Sequence, residues 1–158
     1  MIGKKHISFC IILSLVSFDY IFANTIFHKI YHSLNHNFHV VEENNLYRSN
    51  QLSAKKLDTY MKRYNIKSVI NLRGTNKSKQ WWLDEKDIVE SNDGYFFNIE
   101  MSAIVLPHKN NLLYLLHLFK HAPRPILIHC QGGRDRTGEA AALWTLCEQK
   151  KSKKEALK

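Results

Sequence analysis

Residues 129–139 read HCQGGRDRTGE, and their types and spacing set up one kind of chemistry. Cys130 offers a thiol, and Gly132 and Gly133 let the following backbone fold its amide N–H groups inward as an anion-binding nest. If a helix starts just after this loop, its positive dipole end points at the same place. A thiolate there is stabilised, so its pKa is expected below the free value of about 8.5. The thiolate is the nucleophilic form. Arg136, six residues after Cys130, carries a planar fork that suits two oxygens of a phosphoryl group. Thr137 can donate its hydroxyl to the sulfur when the thiolate departs. A soft nucleophile inside an oxyanion cradle is suited to phosphoryl transfer. A buried cysteine at a strand end would account for Cys130 alone, but not for Gly132, Gly133, Arg136 and Thr137 arriving together.

Such a loop needs a strand before it and a helix after it, and the pattern supplies both. Ile126 to His129 (ILIH) is an apolar strand of the buried parallel type, and a last helix is expected from about Thr137 to Gln149. Upstream, Phe38 to Glu42 and Leu46 to Arg48 read as short strands around a Glu43-Asn44-Asn45 turn. Ser53 is expected to cap a helix through Tyr64, with Leu57, Tyr60 and Met61 inward. Lys67 to Leu72 is a β-branched strand, Trp81 to Ser91 a helix, Tyr95 to Ile99 a strand, and Pro107 opens a helix through Lys120. Strands alternating with helices make an α/β chain with a parallel or mixed sheet covered on both faces.

The 129–139 stretch resembles the signature loop of the cysteine-based protein tyrosine and dual-specificity phosphatases. Asn45 to Ser53 (NLYRSNQLS), Val69 to Arg73 (VINLR) and Pro125 to Cys130 (PILIHC) resemble successive blocks of their small bacterial members. The resemblance implies a protein-tyrosine-phosphatase-like fold, a central mostly parallel sheet flanked by helices. It implies that Cys130 attacks phosphorus, that a phosphocysteine forms, and that water releases phosphate, with no metal or organic cofactor. Gln131, Gly132, Gly133, Arg134, Asp135 and Arg136 would then bind the substrate phosphate, and His129 would orient the loop. Arg134 followed by Asp135 is similar to family members that act on phosphoinositides as well as phosphopeptides.

The family usually places an acid about thirty residues before the cysteine, on a loop after a strand. Glu100 stands there and is the first choice, Asp135 the second, and Asp84 or Asp87 distant thirds. A solvated strand-end carboxylate is an equally good account of Glu100. Arg73 could reach the site's mouth or anchor the Gly74 turn. Trp81 and Trp82 could form an aromatic lip, and a core-facing place at the helix start is at least as good a reading for one of them.

The N-terminus has another purpose. Lys4 and Lys5 precede the apolar run Ile7 to Phe18, and Ala23 offers a small residue for cleavage. Residues 1–23 are therefore expected to be a signal peptide exporting the protein to a periplasmic or secreted location, with a membrane anchor over residues 7–22 as the rival. One phosphatase domain is expected over residues 24–158, without the further C-terminal helix usual in the family and so compact or truncated. Removing residues 1–23 leaves 21 of the 23 basic and 13 of the 14 acidic side chains, a formal +8, and two cysteines, Cys130 and Cys147. Cys147 follows Leu143 and Leu146 and is expected to be a buried thiol. Over residues 24–36, Ile26, Ile30 and Leu34 recur at helical spacing beside His28, His32, His36 and His39. No Cys or carboxylate completes a metal set there, and a solvated polar face is the better reading.

With 44% hydrophobic residues, 6 Gly, 3 Pro and 3 Cys among 158, the chain is neither collagen-like, nor disordered, nor a disulfide scaffold. A formal +9 favours anionic partners. The expected partners are a phosphorylated protein or a phosphoinositide, with membrane-surface contact possible and no nucleic acid expected, since the basic residues are scattered apart from Lys150 to Lys154. The leading reading is a metal-independent phosphatase acting on phosphate monoesters. The alternative is a catalytically weak pseudo-phosphatase, a module that binds phosphate groups without turnover.

Overall fold

The structure is a computed structural model that describes residues 36–157. Residues 36–158 form one compact unit. The predicted signal peptide, the 24–36 helical stripe up to Asn35, and His28 and His32 lie outside the described residues.

Five strands form one sheet in the order β1-β2-β5-β3-β4, with β1 His39–Glu42, β2 Leu46–Ser49, β3 Ser68–Asn71, β4 Tyr95–Asn98 and β5 Ile126–His129. The β1–β2 pair is antiparallel and the other three pairings are parallel. Helices α1 (Ala54–Tyr64), α2 (Gln80–Ser91), α3 (Lys109–His121) and α4 (Asp135–Cys147) connect or follow the strands, and the short α5 (Lys153–Ala156) ends the described chain. The expected α/β architecture, a mostly parallel sheet covered on both faces, is present.

Side chains alternate between the two faces of a strand, and this divides the core. Ile126, Ile128, Ile70 and Leu72 pack with Leu115 and Phe119 of α3 and Ala140 and Trp144 of α4. Leu127, Val69 and Tyr47 pack on the other face with Leu57 and Met61 of α1 and Val89 of α2. The same parity sends Cys130 into the first cluster and turns His129 toward α2. Trp144 is fully buried, meets Phe119 edge-to-face at 5.1 Å, and donates from Nε1 to Glu42 Oε2 at 2.6 Å. An aromatic pair of that geometry adds about 0.5–1.5 kcal/mol to the area it buries.

Local chemistry moves several boundaries. Ser53 occupies the N-cap position of α1 with extended backbone, but its side chain makes no capping hydrogen bond. The far end is closed by Asn65 in the left-handed region, whose amide returns to Met61 O. Pro107 stays outside α3. The first helical bond runs from Leu112 N to His108 O, so the helix begins at Lys109. The last long helix starts two residues earlier than expected, because Gly138 N reaches Arg134 O at 2.6 Å and closes a turn from Asp135. Arg136 and Thr137 therefore sit on the first turn of α4.

Cys147 is exposed, which corrects its expected burial. Thr137, Ala140, Ala141 and Trp144 form the inward stripe of α4. Leu146 and Cys147 lie off that stripe and turn outward. Within the tail after α4, Lys153–Ala156 form a short helix, fixed by a reciprocal capping box between Ser152 and Glu155. Among the described residues no helix is long and apolar enough to cross a membrane, and no group of His, Cys, Asp and Glu could hold a metal ion.

Candidate active site

The site lies at the carboxyl ends of β5 and β3, where the chain leaves β5 at His129 and enters α4 at Asp135. Cys130 is buried, 2% exposed. Burial alone would push its thiol up. The Thr137 hydroxyl and the backbone amides of Thr137, Gly133 and Arg134 oppose that, and the thiol ends below its ordinary value. Amide donors around one sulfur are what a loop folded inward onto the start of a helix provides.

Neighbouring side chains hold the loop in that shape by taking its carbonyls. Asn37 Nδ2 donates to Gly132 O at 3.0 Å and to Gly133 O at 2.8 Å. Arg48 Nη2, from β2, donates to the same Gly133 O at 2.8 Å. Gln51 N donates to Gln131 O at 3.1 Å. With the carbonyls drawn outward, the amides face the centre. Gly133 has φ +67°, and a β-carbon there would stand 2.6 Å from Ser49 O, so glycine is required at this position.

Arg136 is half-buried on the first turn of α4. Its Nη1 reaches Leu72 O and Met101 O, both at 3.5 Å, which steadies the guanidinium between the end of β3 and the loop after β4. Thr137 is fully buried. Gln131, Gly132, Arg134 and Asp135 are exposed around the rim. The arrangement surrounds a soft nucleophile with backbone donors and sets Arg136 on the adjoining helix turn, a combination suited to holding a tetrahedral oxyanion.

The acid candidates separate. Glu100 forms a backbone bridge with Arg73, and its side chain is exposed against Gly74. Asp135 is exposed in the first turn of α4. Asp84 accepts from Gln80 Nε2 on its own helix at 2.7 Å, and Asp87 is exposed. Beyond Glu100 the loop exposes Ile104, Val105 and Leu106.

Arg73 is at the mouth. Its Nη1 donates to Gln51 Oε1 at 2.9 Å, and its guanidinium lies 3.7 Å over the Trp81 ring. Burial first, and then the like charge of Arg136, lower its pKa. Trp81 therefore supports the rim, while Trp82 is buried and donates from Nε1 to Asn98 Oδ1 at 2.7 Å.

The residues that sequence reasoning passed over are Asn37, Arg48, Gln51 and Glu85. Glu85 had a visible signal. It falls between Trp82 and Val89 on the buried stripe of α2, where a carboxylate is out of place unless something pairs with it. Arg48 and Gln51 stand in the 45–53 block that carries part of the resemblance, though no role attached to them, and Asn37 gave no signal, because these contacts join segments far apart in the chain.

The family model described as "DSP-PTPase phosphatase fused to NAD+ Kinase" matches residues 19–158. A search of curated proteins found no match. Among solved structures, Tk-PTP in its active form is 21% identical, with TM-score 0.62 over 76% of this chain and 79% of its own. TpbA of P. aeruginosa in complex with pTyr is 21% identical, with TM-score 0.59 over 78% and 70%. The core catalytic domain of the PP-IP phosphatase Siw14 of S. cerevisiae, in complex with citrate, is 27% identical, with TM-score 0.61 over 76% and 70%.

Proposed function

Because the chain belongs to the family of DSP-PTPase phosphatases described as fused to NAD+ kinase, we propose that it hydrolyses phosphate monoesters through a phosphocysteine intermediate on Cys130. The observation that carries this reading is the lowered thiol of Cys130, held down by the Thr137 hydroxyl and the amides of Thr137, Gly133 and Arg134.

In this reading the Cys130 thiolate attacks phosphorus while Arg136 and the inward amides hold the equatorial oxygens. The S–P bond forms as the P–O bond to the alcohol or phenol breaks. The departing oxygen takes a proton from Glu100, with Asp135 next in order, or from water. Water then attacks the phosphocysteine, phosphate leaves, and the sulfur departs as a thiolate against the Thr137 hydroxyl. His129 orients the loop. No metal enters either step.

The substrates proposed are phosphotyrosine or other phosphoproteins, and phosphoinositides. The neighbouring charges of Arg73 and Arg136 support highly anionic esters, and the likeness to a PP-IP phosphatase points the same way. Residues 1–23 would direct export, on the strength of Lys4, Lys5 and the apolar run that follows.

The test is hydrolysis of p-nitrophenyl phosphate in EDTA by wild type and Cys130→Ser. Turnover that is lost in the variant supports the cysteine mechanism. A folded wild type without turnover sinks the enzyme reading and leaves a phosphate-binding module.

A further inference from the structure

Glu85 is a carboxylate buried in the core-facing stripe of α2, 3% exposed, and both of its oxygens are engaged. Oε1 lies 2.5 Å from His129 Nε2, and His129 is itself 1% exposed. The two groups are in direct contact, and neither is open to water. Oε2 accepts from Gln51 Nε2 at 3.0 Å.

Gln51 carries the connection further. With its amide nitrogen on Glu85, its Oε1 is turned to accept from Arg73 Nη1 at 2.9 Å, and Arg73 rests on Trp81. The backbone N–H of Gln51 holds the Gln131 carbonyl outward. Two arms therefore leave Glu85. One ends at the residue before Cys130, and the other ends at the loop's first carbonyl and at an arginine on the rim.

We propose that Glu85 is a positioning residue of the phosphate loop, fixing His129 through one oxygen and Gln51, with Arg73 behind it, through the other. It touches neither the substrate nor the reacting atoms. The proposal rests on the phosphatase reading of the same site. Gln51 donates to one oxygen of position 85, and His129 abuts the other. Glu85→Gln keeps the shape but replaces one carboxylate oxygen with an NH2 group, so either Gln51 Nε2 or His129 Nε2 loses the oxygen it now faces. The charged and titratable groups facing this cluster are His129 from β5 and Arg73 from the end of β3. Arg73 in turn feels Arg136 and Cys130.

The experiment uses the full chain in a Cys10→Ser, Cys147→Ser background, so that Cys130 is the thiol read. Three quantities are measured for wild type, Glu85→Gln and Gln51→Ala: kcat and KM on p-nitrophenyl phosphate, the rate of Cys130 alkylation by iodoacetate against pH, and the protection that inorganic phosphate gives against alkylation. Glu85→Gln is expected to lower kcat/KM by at least about tenfold and to shift the alkylation profile. Gln51→Ala, which leaves the His129 contact in place, is expected to raise KM and weaken phosphate protection more than it lowers kcat. A folded Glu85→Gln protein with alkylation and protection within about twofold of wild type overturns the proposal, even if its melting temperature falls. Should Glu85→Gln fail to fold, unchanged KM and protection in Gln51→Ala overturn it. A wild type that does not turn over p-nitrophenyl phosphate refutes the phosphatase reading, while alkylation and protection still decide the role of Glu85.

Discussion

Gly133 lies against the backbone of Ser49 so closely that a β-carbon on it would stand 2.6 Å from the Ser49 carbonyl oxygen. The strand that pairs with β5 thus also forms the wall against which the loop after Cys130 folds. Gly133→Ala meets both that wall and a φ of +67°. Backbone strain of this kind costs about 1–3 kcal/mol before the clash is added. At Gly132 a β-carbon would meet nothing within 4 Å, so alanine is accepted there. Melting temperature and p-nitrophenyl phosphate turnover should fall sharply in Gly133→Ala and stay near wild type in Gly132→Ala.

Asn37→Asp removes the donor shared by the Gly132 and Gly133 carbonyls and replaces it with an acceptor. The side chain keeps its size, and Asp tolerates the positive φ of 48° found there. Gly132 O loses its side-chain donor while Gly133 O keeps Arg48, at a cost of about 1–3 kcal/mol, and the facing carboxylate adds repulsion toward both carbonyls. Reduced stability is expected together with weaker inhibition by inorganic phosphate, read by thermal melts and by competition.

The pH dependence of Cys130 follows from the direction of its shift. Its thiol is lowered on folding, so thiolate is present at pH values where a free cysteine is still protonated. The stabilisation linked to this ionisation is complete above the unfolded thiol's pKa of about 8.5 and disappears as pH falls through the folded value. Thr137→Val deletes the hydroxyl that lowers the thiol. Its iodoacetate profile should move to higher pH at nearly unchanged volume. A profile that stays in place would mean the amides alone set the thiol.

Leaving-group dependence tests the acid. A p-nitrophenolate departs without help, whereas an alkoxide needs a proton. Glu100→Gln is expected to lower turnover of an alkyl phosphate by about 10²–10⁴ and to spare p-nitrophenyl phosphate. Equal effects on both esters, or none, would transfer the role to Asp135 and to the same pair of measurements on Asp135→Asn.

Residue order by itself brought the candidate site's groups together. Cys130, Gly133, Arg136 and Thr137 fall within eight residues on one strand, turn and helix start, and local geometry brings near neighbours together without the rest of the fold. The alternation of short β-branched strands with helical stripes likewise fixed the α/β class. Boundaries that depend on one hydrogen bond, such as the start of α4 at Asp135, had to be read from the fold.

Everything that supports the loop came from long-range contacts. Asn37 reaches residues 95 and 96 positions away, Arg48 reaches 85, and Glu85 meets His129 only because strand parity turns that histidine toward α2. The exposure of Cys147 was decided in the same way, by which face of α4 the sheet covers. Spacing along the chain specifies which side chains share one element's face. Which face meets another element depends on how the elements pack, and that is settled by tertiary structure.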